Sequence, residues 1–106
     1  MADALIAEYR SYLADNRRRS VHSVRAYVAT AERLSEFLTE HLGEPANRAT
    51  LAKANAADLR AFLASRRGDG LTNRSTAREL SAMRNFLRWA LGDEAQIPAL
   101  KGPRVQ

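Results

Sequence analysis

The segment from Arg74 to Trp89 places polar and apolar side chains at the spacing of an α-helix with two different faces. One arc of roughly 80° carries only polar and basic side chains: Arg74, Arg78, Ser81, Asn85 and Arg88. The opposite stripe is apolar and needs a hydrophobic core to cover it, and its members are Thr76, Leu80, Met83, Leu87, Ala90 and Leu91. The pattern therefore predicts an amphipathic helix with one basic face.

The basic face contains three guanidinium groups, an amide and a hydroxyl, and no carboxylate. This chemistry suits phosphate oxygens and base edges in a DNA major groove, and the alternative is a solvated basic surface. The whole chain has a formal charge of +5, and fifteen of its seventeen basic residues are arginine, whose planar fork suits phosphate and guanine. The charge therefore favours an acidic partner. The absence of cysteine excludes disulfides, thiolate metal sites and cysteine nucleophiles.

Three earlier segments also have helical spacing. The first begins at about Ala2 and ends at the basic run Arg17–Arg19, with a stripe formed by Leu5, Tyr9, Tyr12, Leu13 and Asn16. Ser20 is predicted to cap a long second helix that ends at Gly43 and Pro45. Asn55 and Asp58 are predicted to form a capping box at the start of the third helix, which ends at Gly68-Asp69-Gly70. The fourth helix is predicted to begin at a cap formed by Thr72 or Asn73 and to have Gly92 as its C′ glycine.

These segments predict an all-α fold, a compact orthogonal bundle of four helices around one core. With 106 residues and 45% hydrophobic content, the chain is long enough for one modest core. The bundle is assigned to residues 1–92, and residues 93–106, which contain two prolines and a glycine without any periodicity, to a linker. Phe86 and Trp89 are expected to pack against neighbouring helices rather than to stack on bases. No apolar run is long enough to cross a bilayer and no signal peptide is recognisable, so a cytoplasmic protein is expected.

The second helix has an asymmetric charge distribution. Its first half is expected to present an outward basic face with His22, Arg25, Ala29 and Arg33, whereas the second half carries an acidic row, Glu32, Glu36, Glu40 and Glu44. Because carboxylates repel phosphate, DNA along this helix is expected near its N-terminal half, close to Arg17–Arg19, where Ala26 and Ala29 permit close approach. The acidic row is interpreted as a solvated face, with a rim that limits the DNA footprint or a docking strip for a basic protein as alternatives.

Three stretches resemble the N-terminal core-binding domain of tyrosine site-specific recombinases, particularly Xer-type and phage-integrase-like members. The second helix is similar to the family pattern LSxxTxxxYxxxLxxFxxFL through Ser20-Val21-His22-Ser23-Val24-Arg25-Ala26-Tyr27, followed by Leu34, Phe37 and Leu38. The fourth helix is similar to RSxxRxLSAxRxF through Arg74, Ser75, Arg78, Leu80, Ser81, Ala82, Arg84 and Phe86. The tail resembles the linker pattern NPAxxxxxPK through Ile97-Pro98-Ala99-Leu100-Lys101-Gly102-Pro103-Arg104.

This resemblance implies a SAM-like domain whose second and fourth helices face the major groove of a recombination half-site. In the family, a tyrosine nucleophile and its supporting arginines, lysine and histidines belong to a separate C-terminal domain, so no catalysis is expected from this chain. His22 and Arg25 match the family's catalytic His-x-x-Arg pattern as letters, but in the wrong domain. Tyr9, Tyr12 and Tyr27 lie on core stripes and are expected to be buried with satisfied hydroxyls, not to act as nucleophiles.

The predicted function is DNA binding by residues of two helices: Ser23, Arg25, Ala26, Arg74, Arg78, Ser81, Asn85 and Arg88. The arginines are expected on phosphates or guanines, and Asn85 and Ser81 on base edges. No metal or cofactor is predicted, and His41 is interpreted as a helix-end residue. The expected partners are double-stranded DNA and, in the full-length protein, other recombinase protomers, while the isolated domain is expected to be monomeric. The alternative is a helical protein-interaction module whose basic face binds an acidic protein.

Overall fold

The computed structural model describes residues 3–15, 19–93, 95–98 and 100, and these residues contain five α-helices and no strand. The helices are α1 (Asp3–Ala14), α2 (Val21–Leu42), α3 (Arg48–Lys53), α4 (Ala56–Gly68) and α5 (Asn73–Leu91). The all-α class is therefore confirmed. None of the described helices is long and apolar enough to cross a membrane. Some residues with sequence-based predictions lie outside the described ranges: Asn16, Arg17 and Arg18, and residues 99 and 101–106 of the predicted linker.

Side chains cap the helices largely where the sequence predicts. The Ser20 hydroxyl accepts a hydrogen bond from the Ser23 backbone N–H at 3.1 Å and begins α2. Gly43, with φ of +72°, ends α2 in the left-handed conformation that glycine adopts without strain. Asn55 and Asp58 form both bonds of the capping box of α4. Thr72, rather than Asn73, is the N-cap of α5.

The prediction of four helices is wrong because it misses α3. Asn47 caps this helix by accepting a bond from the Thr50 N–H at 2.9 Å, and the Thr50 hydroxyl donates to the carbonyl of Pro45 at 2.7 Å. The helix has six residues, fewer than two turns, so it contains too few positions to produce a recognisable hydrophobic period. Side chain to backbone bonds stabilise it instead.

The core receives large buried side chains from every helix, and α2 and α5 pack against each other through its centre. Its fully buried members include Tyr9, Leu13, Leu34, Leu38, Leu51, Leu59, Phe62, Met83, Phe86 and Leu87. Tyr27, which was predicted to be buried, is only half-buried, and Tyr12 is 47% exposed. It lies at the edge of the α1 stripe, stacked beside Tyr9 and Trp89, so its predicted burial is wrong.

The described part of the C-terminal segment contacts the helical body. Ile97 packs against the core, Leu100 is buried, and Arg84 donates to the Leu100 carbonyl at 2.6 Å. The described residues of this segment therefore lie against the helical body as far as Leu100. Its role as an interdomain linker remains a prediction.

Candidate nucleic-acid interface

A cleft of about 820 Å³ separates the N-terminal half of α2 from the first three turns of α5. The helices that form its walls are distant in sequence, and Arg66 of α4 and Leu71 complete one end. Five of the eight residues predicted to bind DNA line this cleft: Ser23, Ala26, Arg74, Arg78 and Ser81. The fold therefore brings the two predicted recognition segments onto one concave surface.

The walls of the cleft combine exposed basic side chains with small ones. Arg74 and Arg78 are exposed on α5, and Ser23 and Ala26 are exposed on the facing side of α2. The spacing of four residues between the two arginines places them one helical turn apart. Small side chains on α2 leave room between the helices, so the surface offers both positive charge and space for a close approach of backbone.

Arg25 and Arg88 are exposed but do not line this cleft. Arg25 lies further around α2 in a second depression of about 520 Å³, whose wall includes Arg19 and Glu32. Ala29 lines both cavities, so the two adjoin across α2. Arg88 follows Ser81 by seven residues and continues the basic face toward the C-terminal end of α5.

Asn85 makes its contacts within the protein. Its side-chain nitrogen donates to the Tyr9 hydroxyl at 2.6 Å, and its oxygen lies 3.5 Å from Nη2 of Arg19. Tyr9 is fully buried with a satisfied hydroxyl, which confirms the prediction for this residue. Burial raises the pKa of Tyr9 to about 12, while the Asn85 hydrogen bond and the charge of Arg19 act in the opposite direction. Base reading by Asn85 remains a prediction.

Sequence reasoning missed a buried carboxylate at the floor of the cleft. Glu79 is only 5% exposed and accepts two hydrogen bonds from Arg33, from Nε at 3.1 Å and from Nη2 at 3.0 Å. Nε of Arg66 lies 3.8 Å from the same carboxylate. Arg33 therefore turns toward α5 instead of projecting outward as predicted. The available signal was that Glu79 is the only acidic residue of α5 and adjoins its apolar stripe.

The acidic row of α2 is partly paired. Glu32 lies 3.5 Å from Arg10, and Glu44 lies 3.1 Å from Lys53. Glu36 and Glu40 are exposed, with no ion-pair partner among the described residues. Neither lines the cleft, so the negative charge of α2 is concentrated away from Arg74 and Arg78.

The remaining candidates have structural contacts. Phe86 is buried and Trp89 packs against the core beside Tyr9, which confirms their predicted packing role. His41 lies in the last turn of α2, 3.0 Å from the Asp58 carboxylate and stacked on Phe37. Within the described ranges, no group of three histidine, aspartate or glutamate side chains is arranged to hold a metal ion.

Comparison with known proteins identifies the family of the chain. The family model described as "Phage integrase, N-terminal SAM-like domain" matches residues 6–93. The chain is similar to "Tyrosine recombinase XerC" of Brucella suis biovar 1, with 37% identity over 101 residues that cover 92% of this chain and 32% of the relative. The corresponding protein of Rhizobium meliloti is 36% identical over 107 residues, covering 94% of this chain and 34% of the relative. The chain thus spans about a third of these relatives. No solved structure matches it.

Proposed function

Because the chain belongs to the family of phage integrase N-terminal SAM-like domains, we propose that it binds duplex DNA through the cleft between α2 and α5. The observation that carries the proposal is the meeting of Ser23 and Ala26 with Arg74 and Arg78 across one concave surface. The arginines bind phosphates, and Ser81 lies where it can contact a base edge. Arg25 and Arg88 extend the contact to the backbone on either side of the cleft.

The proposal extends to a longer protein of the tyrosine recombinase type. The relatives are named tyrosine recombinases, and in such a protein this domain supplies DNA contacts while another domain supplies the chemistry. Other recombinase protomers are its partners on the DNA, the isolated domain is monomeric, and its location is cytoplasmic. Family membership does not favour the alternative of a basic surface for an acidic protein.

A comparison of matched arginine variants tests the DNA interface. Arg78→Ala and Arg25→Ala are expected to weaken binding of a short duplex without lowering the melting temperature, because both side chains are exposed. Arg60→Ala removes the same charge from an exposed position on α4 outside the cleft, so it is expected to leave affinity nearly unchanged. The measurement is fluorescence anisotropy at low salt. Non-specific binding has a Kd of about 10⁻⁴ to 10⁻⁶ M at physiological salt, and it is expected to be tighter at low salt.

Leu80→Ala provides the control for folding. Leu80 is buried, so its truncation is expected to cost about 2–5 kcal/mol of stability, seen as a lower melting temperature by circular dichroism. Equal affinities of wild type, Arg78→Ala and Arg60→Ala would reject the proposed interface. A fall in melting temperature on Arg78→Ala as large as that on Leu80→Ala would reject the assignment of Arg78 to an exposed face.

A further inference from the structure

We propose that Arg19 is a phosphate-binding residue of the DNA interface and that Asn85 is the residue that positions it. This inference rests on the proposed DNA binding and adds to it a residue from the junction between α1 and α2. It also gives Asn85 a role through Arg19 instead of a direct contact with a base.

Two neighbouring side chains fix the Arg19 guanidinium. Its central carbon lies 4.8 Å from the centre of the Tyr27 ring, the distance of a cation–π contact, and its Nη2 lies 3.5 Å from the Asn85 oxygen. Tyr27 is on α2 and Asn85 on α5. The arginine therefore bridges the two helices that form the DNA-binding cleft.

The orientation of Asn85 is set from the core. Its side-chain nitrogen donates to the Tyr9 hydroxyl at 2.6 Å, and the Tyr9 ring packs against both Phe86 and Trp89 with centroid distances of 4.9 and 5.0 Å. An asparagine amide has one donor end and one acceptor end. Because Tyr9 binds the donor end, the oxygen is directed toward Arg19. A buried tyrosine thus determines the position of a half-buried arginine.

The charge of Arg19 remains available for an anion. Two other arginines of this region are paired with carboxylates, Arg33 with Glu79 and Arg10 with Glu32. Within the part of the chain that the structure describes, the contacts of Arg19 are instead with an aromatic ring and a neutral amide. A guanidinium has five N–H donors in a planar fork. Nε of Arg19 is buried, so the donors left for phosphate oxygens are those of Nη1 and Nη2 that Asn85 does not occupy.

The position of Arg19 matches a continuous path for a DNA backbone. Arg19 lines the second depression together with Arg25, while the Tyr27 ring beneath it lines the main cleft. Asn85 follows Ser81 of the cleft by one turn of α5. Arg19 therefore lies where the two cavities adjoin, between Arg25 and the basic face of α5. Its positioned side chain loses less conformational freedom on binding than a mobile one.

The salt dependence of DNA binding by Arg19→Ala tests the phosphate contact. Loss of one such contact is expected to reduce the magnitude of the slope of log affinity against log salt by about 0.9. When salt rises from about 50 to 200 mM, the fold-decrease in affinity is therefore expected to be about 3.5 times smaller for the variant than for wild type. Arg60→Ala, the matched control, is expected to keep the wild-type slope. The wild-type slope in Arg19→Ala would overturn the inference.

The positioning role of Asn85 requires two further variants. In Asn85→Ala and Tyr9→Phe, the Arg19 side chain is expected to become more mobile, which NMR relaxation of its Nε–H group measures in the free protein. Both variants are expected to bind DNA more weakly than wild type. The double variant Arg19→Ala with Asn85→Ala is expected to bind DNA as tightly as Arg19→Ala alone. Tyr9→Phe keeps the ring in the core, so it remains informative if Asn85→Ala unfolds.

Two results would contradict the positioning role. Unchanged Arg19 relaxation in Tyr9→Phe would show that the hydroxyl does not control the arginine. An additive loss in the double variant would show that Asn85 contacts DNA independently. If Arg78→Ala weakens binding while Arg19→Ala leaves both affinity and slope unchanged, only this inference fails. If neither variant affects binding, the proposed function fails as well.

Discussion

The Tyr9 side chain places a polar group at the end of a fully buried ring. Its hydroxyl accepts the Asn85 hydrogen bond, which compensates for the water that the group loses on folding. Burial is the largest influence on its ionisation and raises its pKa from 10.0 to about 12, because the phenolate is poorly solvated inside the protein. The neutral form is therefore the one that the folded state favours.

The raised pKa predicts a loss of stability at high pH. Between pH 10 and 12 the unfolded chain releases the Tyr9 proton and the folded protein retains it, so the free energy of unfolding falls as pH rises. The contribution is fully present below the unfolded pKa, and its loss amounts to about 3 kcal/mol at most. Urea denaturation of wild type and Tyr9→Phe should show a stability difference that shrinks across this range. A difference independent of pH would contradict the assignment.

At the scale of the helices, Glu79 connects three elements. It is on α5, Arg33 is on α2 and Arg66 is on α4, and the three charged groups meet beneath the cleft. An arginine that binds both carboxylate oxygens is fixed in orientation as well as neutralised. The Glu79 carboxylate therefore stabilises the packing of the helices that form the candidate interface.

Neutralisation of Glu79 is expected to destabilise the fold. Glu79→Gln keeps the side-chain volume but leaves the charge of Arg33 without a carboxylate, whereas Arg66 retains Asp69 at 3.4 Å. The expected cost is about 1–3 kcal/mol. The cost stays in this range because the Arg33 side chain is 37% exposed, so water screens part of its charge. Glu36→Gln, an exposed position on α2, is the matched control. Urea denaturation with equal midpoints for both variants would contradict the prediction.

The whole molecule separates its charges along α2. The cleft and the second depression contain the basic residues near its N-terminal half, whereas Glu36 and Glu40 are exposed toward its C-terminal half. The distribution favours one orientation of a bound polyanion, since the acidic end repels phosphate over distances comparable with the Debye length. The acidic residues are thus expected to influence DNA from outside its footprint.

Substitution of both exposed glutamates tests this long-range effect. Glu36→Gln combined with Glu40→Gln is expected to tighten DNA binding modestly at low salt and hardly at all near 0.5 M, where the Debye length is about 4–5 Å. Anisotropy titrations over a salt series measure the difference from wild type. A gain that persists undiminished at high salt would indicate direct contact between this end of α2 and DNA, which the proposed interface excludes.

The sequence by itself determined the helical class, the positions of the main caps and the basic face of α5. These features depend on local spacing: the hydrophobic period of a long helix and the short-range bonds of Ser20 and Asn55 are visible in neighbouring residues. The family resemblance implied only that the second and fourth predicted helices face DNA, and it is the fold that brings Ser23 together with Arg74 and Arg78 around one cleft.

Only the tertiary structure decided the contacts between distant segments. Arg33 binds Glu79, which is 46 residues away in the sequence, and Asn85 binds Tyr9, which is 76 residues away. No local sequence pattern distinguishes such a polar side chain from one that faces solvent. The helix α3 was missed for a related reason, because at six residues its stability comes from Asn47, Thr50 and packing against α5 rather than from periodicity. Local spacing predicts which elements form, whereas partners for buried charges and amides depend on how those elements pack.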